Sequence, residues 1–482
     1  MFGSVTPEML LAILPEISLL VVVAVVFITD LLLAERSRGA LAGITAAGLA
    51  VTLALTIIFA VPGAEGELMW GGMLRHDWLA FVFKLLFLVA ALLTTLFTIG
   101  WKPIWHKGEF YVLLLTSTIG MTLMAASADL IMLFLSIETT SIPLYVMAGF
   151  MTRDDKSTEA GFKYLLFGAV TTGVMLYGLS LLYGFAGTTN LYEMAAGISA
   201  AGIPGPVLVG TVVLILLGFG FKVALVPLHF WAPDVYEGAP TPVTAFLSTA
   251  SKAAGFAVLA RVMLAAFPSI LTDWQAIIAI GAALSMTLGN VVALTQRNIK
   301  RLLAYSSIAH AGYALLGVAA ASELGVTSMV YYFLAYTVTQ MAAFGVVIIV
   351  WHKIGSDEIA DYAGLSRRSP MLALAMLLSF LSLAGVPPLG GFIAKILVFA
   401  AAVDSGLVWL AFLGVLNSIV GLYYYLIVLK VVYLSAPKDE QPVPVARPHA
   451  AALLVSILLV LILGILLSPW YGWAAASAAG LF

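Results

Sequence analysis

The sequence predicts an all-α polytopic membrane protein of about fourteen transmembrane helices. Three observations carry that expectation. The 482-residue chain is 62% hydrophobic and only 10% charged, and its mean hydropathy is +1.10, a composition that places most residues in a bilayer. Apolar runs of crossing length recur from one end to the other. Two of the later runs are interrupted by proline in mid-course.

Runs long enough to span, about 20 residues each, fall near 8–33, 39–61, 78–100, 109–127, 129–151, 157–185, 206–230, 241–267, 272–294, 299–321, 325–352, 369–402, 406–434 and 449–475. They are numbered here as spans 1 to 14. Polar and turn residues fill the breaks: Glu35 to Arg38, Trp101 to Lys107, Arg153 to Lys156, Gln296 to Arg301, Lys353 to Arg368 and Ala436 to Pro448. The tightest division is at Ser127 to Asp129. Met1 to Leu10 has no basic region ahead of its apolar run, so it reads as the start of an uncleaved first span and not as a removable signal peptide. No soluble domain interrupts the chain, and residues 1–482 read as one integral membrane domain.

Basic residues orient the spans. With the N-terminus outside, the inner loops hold Arg36, Arg38, Lys102, Lys107, Arg153, Lys156, Arg297, Lys300, Arg301, Lys353, Arg367, Arg368, Lys438 and Arg447, and the outer loops hold only Arg75. An even span count then turns both termini outward. Seven of the 22 basic residues lie within spans. Of these, Arg261 and Lys430 are near helix ends, where they could snorkel, and Lys84 is ambiguous.

Composition also excludes functions. With no cysteine, the chain has no disulfides, no cysteine-ligated iron–sulfur cluster and no thiol catalysis. A net charge of −2 offers nucleic acid no electrostatic footprint. No phosphate-binding Walker pattern is present, and Gly218-Phe219-Gly220 inside an apolar run reads as helix packing.

The broken runs are the first functional signal. In span 7, Pro227 removes an intrahelical hydrogen bond and clashes with the carbonyl of Val223. In span 12, Pro387 and Pro388 follow Gly385. Unwound backbone at membrane depth is tolerated only inside protein or against water. Lys222 lies five residues before Pro227, and Lys395 lies seven after Pro388. The breaks are five spans apart, so spans 4–8 (109–267) and 9–13 (272–434) form two five-helix units. An odd count places them in opposite orientations, the inverted-repeat plan of many transporters, with functional groups at the breaks. Prolines that merely kink two helices for packing are the simpler alternative.

Glu138, Lys163, Lys222, Lys252 and Lys395 all fall inside apolar runs. A charge at mid-bilayer costs at least ~2.5–3.5 kcal/mol, so such residues face protein or a wet cavity. Desolvation disfavours the charged form of a buried amine, which lets it take up and release a proton near neutrality. The row therefore reads as a proton path. Spans 5 and 6 are adjacent and antiparallel, and a depth gap of about 10 Å separates Glu138 from Lys163 at 1.5 Å per residue. A stretched lysine could close most of it. The two would then be either a fixed structural ion pair or one that opens and closes. Lys222 and Lys252 have no acid nearby in sequence. Among the histidines, His76, His106, His352 and His449 are expected at the surface. His229 and His310 lie within spans, where a proton relay, a satisfied core histidine or a haem ligand are all open readings.

Three stretches carry a family likeness. Lys222 to Ser248 reads KVALVPLHFWAPDVYEGAPTPVTAFLS, Arg297 to His310 reads RNIKRLLAYSSIAH, and Leu383 to Lys395 reads LAGVPPLGGFIAK. They resemble the antiporter-like subunits of respiratory complex I, and the likeness runs from span 4 through span 13. The Asp234–Pro242 wording, lysine and not glutamate at 395, and a chain that stops soon after span 14 resemble one paralogue in particular. The resemblance implies a fourteen-helix fold with broken helices 7 and 12 and a proton channel made of two half-channels. It implies that Glu138, Lys163, Lys222, Lys252 and Lys395 match the functional residues of helices 5, 6, 7, 8 and 12. It further implies a bacterial cytoplasmic membrane location, neighbouring paralogous subunits, and flavin, iron–sulfur clusters and quinone in partner subunits, with no cofactor in this chain. The favoured function is a proton-translocating subunit of NADH-quinone oxidoreductase. A subunit of a multi-chain sodium/proton antiporter and a purely structural membrane anchor are the alternatives.

Overall fold

A computed structural model describes residues 5–34, 37–437 and 439–482. The positions Met1, Glu35, Arg36 and Lys438 used in the span and orientation reading lie outside the described residues. The two ends of the bundle are named inner and outer after the charge bias above.

Among the described residues, thirteen helices are long and apolar enough to cross a membrane. They are Leu14–Leu32, Ala40–Phe59, Trp78–Thr98, Gly108–Ala126, Leu130–Ala148, Asp155–Ala186, Gly205–Val223, Thr241–Ala266, Pro268–Ala293, Ile299–Ala320, Glu323–Ile354, Val408–Leu434 and Arg447–Ile465. The remaining span, 12, is the broken pair Pro370–Ala384 and Gly390–Asp404. The fold is thus the all-α membrane bundle that the sequence predicts.

The polar residues between runs turn out to be helix caps. Asp77, Asp129, Asp154, Asn298 and Ser322 each accept hydrogen bonds from backbone N–H groups of the first turn of the next helix, satisfying donors that have no intrahelical partner. Asp129, which accepts from Ile131 N and Met132 N, fixes the tight division between spans 4 and 5. Three details differ from the expectation. Span 1 begins at Leu14, after a separate short helix Pro7–Ala12. Span 14 bends at Leu466 into a further helix, Leu467–Ala479. The 62–77 segment folds into a small antiparallel hairpin, Glu67–Met69 against Leu74–His76.

Both proline runs are discontinuous. Span 7 stops at Val223, where Ala224 adopts a left-handed φ of 57°, and the chain turns before a short helix, Trp231–Gly238. Span 12 stops at Ala384, where Gly385 supplies φ 87°, a conformation that glycine adopts without a Cβ clash. Span 8 is continuous but includes one π-helical turn, Leu247–Ser251, immediately before Lys252. Such turns cluster at functional sites.

Spans 8, 10 and 11 are almost wholly enclosed, whereas spans 1, 2, 6 and 14 present most of their surface outward. Close approach of small residues builds this centre, as lipid-embedded helices require. A Cβ on Gly289 of span 9 would lie 2.6 Å from Ala309 N of span 10. The buried Lys222, Lys252 and Lys395 sit around the enclosed centre.

Candidate proton-transfer path

Lys222 occupies the last turn of the first half of span 7 and is buried. Its Nζ donates to Ser141 Oγ at 2.8 Å. Ser141 lies one turn from the half-buried Glu138 on span 5, and the Glu138 charge acts on Lys222. The Lys222 stem runs past span 8, where a Cβ on Gly255 would be 3.2 Å from its Cγ. Gly255 is one turn from Lys252.

Lys252 is buried and donates to Ser307 twice, to the carbonyl at 2.8 Å and to Oγ at 2.6 Å. Ser307 Oγ also accepts from Tyr336 OH at 2.9 Å. One turn along span 10, His310 is held at both ring nitrogens, Nδ1 by Tyr332 OH at 2.6 Å and Nε2 by Tyr425 OH at 3.2 Å. A small cavity, with room for roughly one water, lies between His310, Tyr336, Thr339, Ser382 and Ala394. Next to Ala394, the buried Lys395 donates to Ala384 O at 2.9 Å, back across the break. Its Nζ also stands 4.8 Å from the Tyr313 ring centroid, close enough for a cation–π attraction. The structure therefore brings Glu138, Lys222, Lys252, His310 and Lys395 into one row through the enclosed spans.

Two residues expected beside them stand apart. Lys163 does not pair with Glu138. It binds Asp234 Oδ2 at 2.6 Å and Glu159 Oε1 at 2.5 Å, because the depth gap is not closed and its side chain turns to the short helix after the break. His229 is half-buried in the turn of span 7 and its Nδ1 has no hydrogen-bond partner among the described residues, so of the two relay candidates only His310 joins the row. With both nitrogens of His310 taken by tyrosines, the donor set does not fit haem.

Two further expectations, at Arg261 and His449, are corrected, and the ambiguous Lys84 finds its place. Arg261 does not snorkel. It is 1% exposed and binds both oxygens of Asp77 at 2.7 and 2.9 Å, Tyr192 OH at 2.5 Å and Ala125 O at 2.9 Å. Lys84 is buried against Glu16 at 2.8 Å. His449 is buried, with its ring against Phe97 and His352.

The sequence reading missed Ser141, Ser307, Tyr313, Tyr332, Tyr336 and Tyr425. A signal was present: Ser141 follows Glu138 by three residues, His310 follows Ser307 by three, and Tyr336 follows Tyr332 by four, the spacing of one helix face.

Comparison with known proteins decides what this row belongs to. The family described as NADH:quinone oxidoreductase/Mrp antiporter, transmembrane, matches residues 127–421. NADH-quinone oxidoreductase subunit N of Moorella thermoacetica is 46% identical over 455 residues, covering 94% of each chain. A chain of respiratory complex I from Thermus thermophilus is 35% identical, with a TM-score of 0.81 over 96% of this chain and 99% of that one. The chain belongs to the subunit N family of NADH-quinone oxidoreductase. A chain of the Mrp complex from a Dietzia species has a TM-score of 0.88 over 99% and 98% of the two chains, at 21% identity. That likeness concerns the fold alone; the matched family is described for both kinds of complex, and the relatives at high identity are subunits N. As a subunit N, the chain is a membrane proton-pumping part of complex I, a translocase, assembled with other subunits.

At the inner end of the bundle, Asp234 and Glu237 share Arg301 through Nη1, at 2.9 Å each. Asp234 also binds Lys163, and Glu237 binds Lys156 at 2.7 Å. Partial burial alone would raise both carboxyls. Hydrogen bonds from these cations outweigh it and hold both below the usual carboxylate range. A depressed carboxyl contributes stability above its unfolded value and loses it as pH falls through the folded one. The cluster therefore stands at neutral pH and dissolves only as pH falls below the usual carboxylate range.

The Glu138 geometry makes a direct prediction for subunit N. Glu138→Gln keeps size and hydrogen bonding but removes the charge that acts on Lys222, so proton pumping by the assembled complex should fall strongly. Glu138→Asp should keep part of it. Equal activity of the two variants in proteoliposomes would replace the electrostatic role with a packing role.

Proposed function

We propose that protons cross this subunit along the row from Lys222 through Lys252 and His310 to Lys395, with Glu138 setting the charge balance at Lys222 and Lys163 standing at the inner mouth. Residues 109–267 form the input half-channel and 272–434 the output half-channel, in inverted orientation. Both termini face outward from a bacterial cytoplasmic membrane. Paralogous antiporter-like subunits and lipid surround the bundle. Flavin, iron–sulfur clusters and quinone reside in partner subunits, so the redox free energy arrives here only as a conformational or electrostatic change.

One observation supports this reading: Lys252, Ser307, His310 and the small cavity beside Lys395 line up as polar groups from span 8 toward the span 12 break, through the most enclosed part of the bundle. Each group in it can pass a proton. The amines become neutral when desolvation and a neighbouring charge disfavour the cation. Hydroxyls and imidazole both donate and accept. A proton entering from the inside would occupy Lys222, then Lys252, then Lys395, and leave outward. His229 stands off this row.

Substitution at the exit tests the path. Lys395→Glu leaves a buried carboxyl that can also be tuned to hold and release a proton, so it should retain part of the pumping. Lys395→Leu removes titration and should not. The measurement is proton uptake per quinone reduced by the reconstituted complex, and a Lys395→Leu complex that pumps normally would end the assignment.

A further inference from the structure

The helix Trp231–Gly238 has eight residues, well below the roughly 12–15 at which an isolated helix becomes even marginal in water. Its position is imposed from outside. Asp234 and Glu237 are tied to Lys156 and Lys163 of span 6 and to Arg301 of span 10. The buried Lys300 donates to Glu237 O at 2.5 Å and Ala239 O at 2.9 Å, closing the C-terminal carbonyls as a cation there does, and itself lies 3.9 Å from Asp357. Gly238 runs so close to span 6 that a Cβ would be 2.2 Å from Lys156 O. Exposed ion pairs taken singly contribute little. Here four cations converge on one short helix and hold it from both sides.

The other end of that helix reaches the proton path. Trp231 Nε1 donates to Phe221 O at 3.0 Å, and Phe221 directly precedes Lys222. The Trp231 ring stacks on Tyr164, with centroids 4.5 Å apart and planes 14° apart, and Tyr164 directly follows Lys163. The ion cluster and the Lys222 end of the broken helix are thus joined by one rigid aromatic side chain.

We propose that Asp234 is a positioning residue for Lys222. Its two oxygens seat the 231–238 helix between spans 6 and 10, and Trp231 transmits that seating to the Phe221–Lys222 turn, so that proton access to Lys222 from the inner side depends on the Asp234 charge. The proposal rests on the reading of Lys222 as a proton carrier. The charged groups that face Asp234 are Lys163 and Arg301; Glu159 shares Lys163, Glu237 shares Arg301 and binds Lys156, and Lys300 holds the carbonyl of Glu237 and lies near Asp357.

The test uses the complete complex in proteoliposomes, with proton transport per quinone reduced measured across a pH series. Asp234→Asn should lower pumping several-fold and shift the pH at which it is half-maximal. Trp231→Phe, which keeps a ring but loses the N–H, should shift it in the same direction. Asp234→Glu, which keeps the charge, should restore most of the pumping and the original profile. An assembled Asp234→Asn complex with an unchanged pH profile overturns the proposal, as does an Asp234→Glu complex as impaired as Asp234→Asn. If Lys222→Ala stops pumping while Asp234→Asn leaves it normal, the proton path stands and only the clamp is removed.

Discussion

Replacing Lys222 with alanine should cut coupled proton pumping at least about tenfold and leave the complex assembled. Lys222 is the ionisable group at the end of the first half of span 7, where the helix stops and the backbone turns. Glu138 acts on it from span 5, and Ser141 holds its Nζ at 2.8 Å. Without the amine, a proton from the inner side has no carrier before Lys252, and pumping should fall by about tenfold or more, the factor that about 1.4 kcal/mol on a barrier produces. Assembly is expected to survive, because removing a buried amine also removes the cost of keeping it out of water. Lys222→Met, which preserves the stem against Gly255, gives the same loss with less risk to packing. The readout is dye-reported acidification of proteoliposomes beside quinone reduction. Normal acidification by either assembled variant would take Lys222 out of the path.

Asp77→Ala should damage stability more than any other single change in the described bundle. Asp77 caps span 3 by accepting from Ala80 N at 2.9 Å, neutralises the buried Arg261 through both oxygens and contacts Arg75 at 3.3 Å. Alanine loses the cap, worth about 1 kcal/mol. It also strands a cation that cannot deprotonate, and breaking a buried pair from one side costs about 3–5 kcal/mol. The prediction is a lower thermal transition and little subunit recovered in assembled complex. Removing both charges, Asp77→Asn with Arg261→Met, should recover most of that loss. An Asp77→Ala protein as stable as the parent would mean that water reaches Arg261.

The span plan and the breaks were legible because they depend on local signals. Run length sets the crossings, Asp129 and Asn298 set caps, and Pro227 and Pro387 mark the two breaks, which begin just before them. The lysine row was legible because charge is rare in apolar runs. Partnership was not. Lys163 meets Asp234, 71 residues away, and Lys252 meets Ser307, 55 residues away. Which faces of two helices touch is decided by their rotation and by close contacts such as that of Gly289 of span 9 against span 10, which no single run encodes. Arg261 was misread for the same reason. Its place near a helix end suggested water, but its acid comes from a capping residue 184 positions earlier.

Span 8 carries two cations of opposite kind. Lys252 and Arg261 are nine residues apart, which in a helix of 3.6 residues per turn is two and a half turns, so they point to opposite sides about 13 Å apart along the axis. Lys252 faces Ser307, where the proposed path needs charge to come and go, and Arg261 faces Asp77, where it never changes. At an effective dielectric of about 20, a bare cation at that distance would repel a second one by about 1.2 kcal/mol. The Asp77 carboxylate at 2.7 Å reduces that field to a short-range dipole. On the proposed path one helix would work as a shielded cable, with a live conductor on one side and an earthed anchor on the other. Losing Asp77 would remove the shield as well as the anchor, and the fixed charge of a structural residue would begin to oppose every proton that Lys252 accepts.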